Sequence, residues 1–244
     1  MIFGPLIGGV LSQINYSVPM FFAAAITLVS IILALFLPET ITKNKEKISL
    51  GFNDIVPVNE AKRYAKTPHV RNNLLIFFIY GLGFHLFISN FSLWAQTQLH
   101  VDATQVSYYM TWIGILRVII QTVLIARILR ALGEDRMLRT GIVAAIITMV
   151  GLAISADYLF VFVPLIFLAY STGVSRPILT SKLVNSVTKK ETATILGVNN
   201  SLNSIAQIVT PIVGGFIIQY LPSPTLPILS ILIFSTIFMF KKQS

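Results

Sequence analysis

Arg117 sits near the middle of a long apolar stretch, where a guanidinium needs an explanation. A charge at the centre of a membrane-spanning segment is costly, and by default it faces a partner or a water-filled cavity. The chain has nine acidic residues, Glu39, Glu46, Asp54, Glu60, Asp102, Glu134, Asp135, Asp157 and Glu191, and each falls in a polar stretch or at a segment end. The counterpart of Arg117 is therefore a set of backbone carbonyls, an acid from outside these apolar segments, or an anionic group of a substrate. The alternative is a structural arginine hydrogen-bonded between helices. His85 is the one group in an apolar segment that ordinarily titrates near neutrality, so a proton carrier and an interhelical hydrogen-bonder are both open to it. Asn199, Asn203 and Gln207 follow at helical spacing and could hold a substrate through their amides or join helices.

At about 100° per residue, three segments carry a polar face. Gly81, His85, Ser89, Ser92 and Gln96 share one; Gly114, Arg117 and Gln121 share the next; Asn199, Asn203, Gln207, Thr210 and Gly214 form the third. Three such stripes in one bundle predict a shared cavity and a substrate path. Trp94, Trp112, Tyr108 and Tyr109 lie towards the outer ends of their segments and are read as an interfacial belt.

The elements that carry these residues are apolar helices. Of 244 residues, 55% are hydrophobic and 11% charged, more apolar surface than a water-soluble domain of this length could hide. Eight segments are expected: Ile2–Ile14, Pro19–Leu37, Asn73–Leu93, Val106–Leu129, Met137–Ala156, Leu159–Val174 with its continuation, Ile195–Tyr220 and Thr225–Phe240. Strand-type alternation is missing, so the fold class is all-α, a polytopic membrane helical bundle. Residues 1–37 form a first pair of helices, 38–72 a cytoplasmic linker with a short surface helix near Val58–Lys66, and 73–244 a six-helix bundle. The first segment would extend only about 24 Å, short of the roughly 30 Å hydrocarbon core. It is expected to have lost its first turns, with Met1 an internal position or a fragment boundary.

The net charge of +9 does not point to nucleic acid, because the Lys and Arg residues cluster in alternate loops. Lys43, Lys45, Lys47, Lys62, Arg63, Lys66 and Arg71 mark one; Arg127, Arg130, Arg136 and Arg139 the next; Arg176, Lys182, Lys189 and Lys190 a third; Lys241 and Lys242 the end. This is the positive-inside pattern, and it places the linker and the C-terminus in the cytoplasm. The chain has no cysteine and three scattered histidines, His69, His85 and His100, so no metal is expected. No nucleotide-binding loop or nucleophile motif occurs, so neither a cofactor nor an enzymatic reaction is expected, and the lipid bilayer is the first partner.

One signature occurs twice. Gly4-Pro5-Leu6-Ile7-Gly8-Gly9 recurs as Thr210-Pro211-Ile212-Val213-Gly214-Gly215, with Gln13 and Gln219 at the same interval after each proline. Small residues let helices approach closely and proline bends them, so Gly4, Pro5, Gly8, Gly9, Pro211, Gly214 and Gly215 are read as hinge and packing positions. Two copies at fixed helix spacing suit a transporter built of repeated halves.

These motifs resemble the major facilitator superfamily, in particular its drug:proton antiporters of the tetracycline-efflux type. Gly4-Pro5-x-x-Gly8-Gly9 is similar to the motif of that family's fifth helix. Pro38-Glu39-Thr40 resembles the end of its sixth, and Gly197–Ser204 leading into Pro211 resembles its eleventh. The resemblance covers helices five to twelve only, an N-terminally truncated major facilitator type. The basic loop Arg127–Arg139 departs from the family pattern: Arg130 stands where the pattern has Asp, with Glu134 and Asp135 as replacements or the loop merely obeying charge topology. The resemblance implies secondary transport, proton-coupled efflux of a small organic molecule by alternating access. The glycine-proline helix would act as a hinge or seal between halves, and an acid of the missing helices would compete with His85 as proton carrier. A chain with two helices of one half is expected not to transport alone. The alternative is a non-transporting partner subunit or sensor, paired with a chain supplying the missing helices.

Overall fold

The computed structural model describes residues 3–15, 17–36 and 58–240. Helices α1 (Phe3–Ser12) and α2 (Val18–Leu35) come first. After α3 (Val58–Ala65) follow α4 (Pro68–Ile88), α5 (Phe91–Leu99) and α6 (Ala103–Ile119). A π-helical turn, Ile120–Leu124, leads into α7 (Ile125–Ala153), and α8 (Phe162–Asn185), α9 (Thr192–Tyr220) and α10 (Thr225–Phe240) complete the bundle. No strand occurs among the described residues. Pro38-Glu39-Thr40 and Lys43 to Lys47 lie outside them.

Local chemistry places the boundaries. Proline at the first turn of α4 supplies a preset φ, and His69, Arg71, Asn72 and Asn73 extend the helix ahead of the apolar run. A start at Pro68 therefore precedes the boundary that hydropathy draws at residue 73. Asp102 and Gln105 form a reciprocal capping box at the start of α6: the Gln105 N–H donates to Asp102 Oδ1 at 2.7 Å, and the Asp102 N–H to Gln105 Oε1 at 2.9 Å. The segment expected as one helix over Asn73–Leu93 breaks at Ser89–Asn90. There the Asn90 N–H turns to the Phe87 carbonyl while its side-chain amide takes the Leu86 carbonyl at 2.9 Å, so side chain competes with backbone.

Among the described residues five spans are long and apolar enough to cross a membrane, the longest being Ala103–Ala153. That span turns at Gly133, whose φ of 72° and ψ of 166° are not helical, so it supplies two membrane passes. Where hydropathy predicts a loop over Arg127–Arg139, the turn is this single glycine. Its backbone conformation is essentially reserved for glycine. Gly133→Ala should therefore lower stability by about 1–3 kcal/mol, although open space surrounds the position. Gly197→Ala, in a helix and equally open, should be neutral or stabilising. Thermal unfolding of both variants in detergent distinguishes conformational strain from crowding.

In the bundle α4 is flanked by α8, α9 and α10, α7 lies along α8 and touches α10, and α6 packs on α8. Helix α1 packs along α6, and α2 packs on α1 with no buried residue of its own. An all-apolar helix without a buried face is a lipid- or helix-facing element.

Candidate functional site

Two departures from regular helix meet where α6 crosses α8. Pro177 lies inside α8 and has no N–H, so the carbonyl of Gly173, four residues earlier, loses its helical donor. Gln121 in the π-turn donates its Nε2 to that carbonyl at 3.4 Å. Gly173 also opens the seam: a Cβ there would stand 3.2 Å from Ile120 Cγ2 and 3.8 Å from Arg117 Cγ. The stem of Arg117 thus lies across the bare face of α8, half-buried.

One turn further along α8 is Arg176. Arg117 and Arg176 lie within electrostatic range of each other and of Tyr80 on α4. The Tyr80 hydroxyl is 3.1 Å from Ser171 Oγ, joining α4 to α8. His85 is half-buried, packs edge-on against Phe84 and also feels Arg176. The sequence reads Arg176-Pro177 as a bend near the end of the sixth segment, and α8 continues nine residues past Arg176, about 14 Å of helix. The signal in the sequence was the set Ile178, Leu179, Leu183 and Val184, at helical spacing beyond Pro177. A membrane helix tolerates such a proline when the freed carbonyl finds a donor.

The second polar seam joins α4 to α9. A Cβ on Gly81 would stand 2.8 Å from Asn203 Oδ1, so that amide fills the space a side chain would occupy. Asn203 Nδ2 donates to the Asn199 carbonyl at 2.9 Å, and Asn199 Oδ1 is buried without a hydrogen-bond partner, as is Thr210 Oγ1. A buried acceptor in that state is costly unless something else meets it. Asn90 closes the far end of this seam: besides Leu86, its Nδ2 reaches the Thr210 carbonyl at 3.1 Å. Asn90 is 5% exposed and carries an interhelical hydrogen bond of the seam, a role that its place in an expected uninterrupted helix concealed.

Tyr80 and Gly81 are consecutive and both buried on α4, about 100° apart, so the two seams lie on adjoining sides of that helix. Arg117, Gln121 and His85 gather around the first, and Asn199 and Asn203 line the second. Ser89 is exposed at the end of α4, Gln207 and Pro211 are exposed on α9, and Gln96 belongs to α5, bonded to Ser92 Oγ at 3.1 Å.

The two glycine-proline copies are used differently. On α1 a Cβ at Gly9 would overlap Ser107 Oγ and Cβ of α6, while Gly4 and Gly8 have nothing within 4 Å. On α9 the tight position is Gly214, against the Asn90 amide, and Gly215 is open. The side chain of Pro5 lies outside the described residues.

The aromatic residues correct the belt reading. Trp94 and Tyr109 are 1% and 0% exposed, packed with Phe87, Phe91, Tyr158 and Phe162, and only Tyr108 of the group faces outward. Each polar tip is satisfied inside: Trp94 Nε1 donates to the Ser223 carbonyl at 3.3 Å, Tyr109 to that of Tyr158 at 2.8 Å, and Trp112 Nε1 to that of Phe162 at 3.2 Å. Such donors let large rings seal one end of the bundle rather than mark an interface. At the opposite, basic end, Lys182 Nζ lies 2.7 Å from Asp135 Oδ1 and Ser181 Oγ donates to Glu134 Oε1 at 3.4 Å, so the carboxylates after Gly133 tie α7 to α8.

A family model described as Major Facilitator Superfamily matches residues 1–211. Among curated proteins, rat solute carrier family 22 member 18 is 27% identical over 220 residues, 89% of this chain and 53% of that protein. Multidrug resistance protein 2 of Bacillus subtilis is 24% identical over 218 residues, 88% and 54% of the two chains. The class E tetracycline resistance protein of Escherichia coli is 27% identical over 218 residues, 89% and 53%. The chain spans about half the length of the curated relatives it matches.

Proposed function

The chain belongs to the major facilitator superfamily, and from that premise we propose that it takes part in secondary active efflux of a small organic molecule by alternating access. Its setting is the cell membrane, with the C-terminus on the cytoplasmic side. The observation that carries this reading is the seam of Arg117, Arg176 and Tyr80 inside the helical bundle. Two guanidinium groups there favour an anionic group on the substrate, with the amides of Asn199 and Asn203 on the facing seam. Proton coupling is part of the proposal, with His85 as the carrier within this chain.

The relatives named for multidrug and tetracycline resistance suggest the probes. Cells expressing the native gene should accumulate less tetracycline than control cells, and a protonophore should abolish the difference. Arg117→Ala should slow initial efflux about tenfold or more, the effect of losing roughly 1.4 kcal/mol of differential stabilisation, at unchanged membrane levels. Arg117→Lys should retain part of the rate, because it keeps the charge but not the planar fork. Accumulation that is the same with and without the gene sinks the reading.

A second reading is favoured by α2, which buries no residue, and by the open face at Gly215. In it the chain is a non-transporting partner whose exposed helices meet those of another polypeptide. A chain that inserts normally, leaves accumulation unchanged and cross-links from a cysteine at position 215 to a second polypeptide would favour it.

A further inference from the structure

On the outer side of the bundle, α6, the π-turn, α7 and α8 border an apolar groove of about 600 Å³. Leu116 and Ile120 form one wall, Val143 and Ile147 the second, Ile166 and Phe167 the third. Four of these, Val143, Ile147, Ile166 and Phe167, are 39–44% exposed, so the groove opens to the surroundings of the bundle. From Arg139 to Ile147 it runs along α7 for about 12 Å. One end is different in kind. Arg139 and the hydroxyls of Thr140 and Tyr170 stand there, at the end of the bundle that also carries Arg127, Arg130 and Arg136.

The hydroxyls satisfy each other. Thr140 Oγ1 donates to the Met137 carbonyl at 2.9 Å, so the Tyr170 hydroxyl, also 2.9 Å away, donates to Thr140. The donor left to meet an anion is the exposed guanidinium of Arg139. The Asp135 carboxylate bordering its other side already holds Lys182 at 2.7 Å.

An apolar channel of helix-turn depth, closed by one cationic head at the basic end, is complementary to an anionic phospholipid: acyl chain along α7, phosphate on Arg139. Basic pockets between membrane helices are known to take such headgroups. We propose that this groove is a binding site for an anionic phospholipid of the leaflet at the basic end.

The test is native mass spectrometry of the natively expressed chain, purified in mild detergent and titrated with phosphatidylglycerol or phosphatidylcholine of identical acyl chains. Phosphatidylglycerol adducts should predominate. Arg139→Gln should cut that preference about fivefold, the weight of one cationic side chain against an anionic lipid. Arg139→Lys should retain it, and Val143→Trp, at a position that is 44% exposed and tolerant of bulk, should reduce adducts of both lipids. Inorganic phosphate at equal concentration should not displace the lipid, since it cannot use the groove. Retained preference in Arg139→Gln, undiminished adducts in Val143→Trp, or displacement by inorganic phosphate would each overturn the proposal.

Discussion

Gly214→Ala should cost about 2 kcal/mol of stability, the usual range for overpacking a tight interior being about 1–3 kcal/mol. The added Cβ would overlap Nδ2 and Cγ of Asn90 and stand 2.8 Å from its Oδ1. That amide cannot swing away cheaply, because it is buried and donates to the carbonyls of both Leu86 and Thr210. Asn90→Ala alone should cost less, about 1 kcal/mol, in line with single interhelical hydrogen bonds in membranes. With both changed, the added methyl meets no amide, so the double variant should lose about 1 kcal/mol less than the sum of the singles. Gly215→Ala is the internal control: nothing lies within 4 Å, so a better helix former should leave stability equal or higher. Thermal unfolding of the four variants in one detergent decides it. Additive losses would mean that Asn90 does not lie on Gly214.

The second large effect is expected at the other copy of the motif, and here the readout is geometric. Gly9→Val should drive α1 off α6, because its Cβ would overlap Ser107 Oγ and Cβ. Around that contact Gln13 Nε2 donates to Thr104 Oγ1 at 3.4 Å, and Ser107 Oγ donates to the Thr104 carbonyl at 2.6 Å. The chain lacks cysteine, so Gln13→Cys with Thr104→Cys can be bridged by a short thiol reagent without background. Cross-linking should be efficient in the parent, fall several-fold with Gly9→Val, and return when Ser107→Gly removes the opposing side chain. Gly8→Ala, one residue away and open, should leave the yield unchanged. Equal yields in parent and Gly9→Val would show that α1 does not pack on α6 through this glycine.

Both predictions turn on the same lesson. In the sequence, Gly8 and Gly9 are indistinguishable, as are Gly214 and Gly215, since either glycine of a pair lets a helix approach. Contact with Ser107 selects the second of one pair, and contact with Asn90 the first of the other. A motif reports that close packing is needed nearby, and the partner's side chain decides which position carries it. Gln121 makes a similar point. Its spacing from Arg117 suggested a shared polar stripe, and the structure gives it a definite task, capping the carbonyl that Pro177 frees.

The chain's one-dimensional pattern was enough to determine an all-helical membrane protein, because apolar run lengths report the bilayer and Lys/Arg spacing reports the alternation of loops; the likeness to the major facilitator superfamily rested instead on the paired glycine-proline motifs. It also singled out Arg117, since a charge in an apolar run is conspicuous wherever the helix packs. It misassigned Trp94 and Tyr109 because an amphipathic ring suits an interface and a buried hydrogen-bonded cluster equally well, and only the carbonyls of Ser223 and Tyr158 distinguish them. It read Arg176-Pro177 as a bend near the end of the sixth segment, and what it could not supply was the partner that lets α8 run on through Pro177, the Gln121 donor from the π-turn. The hydrophobic effect acts on each segment by itself and can be read residue by residue. Which polar atom meets which depends on the rotation and crossing of helices up to 168 residues apart, and the tertiary structure alone decides that.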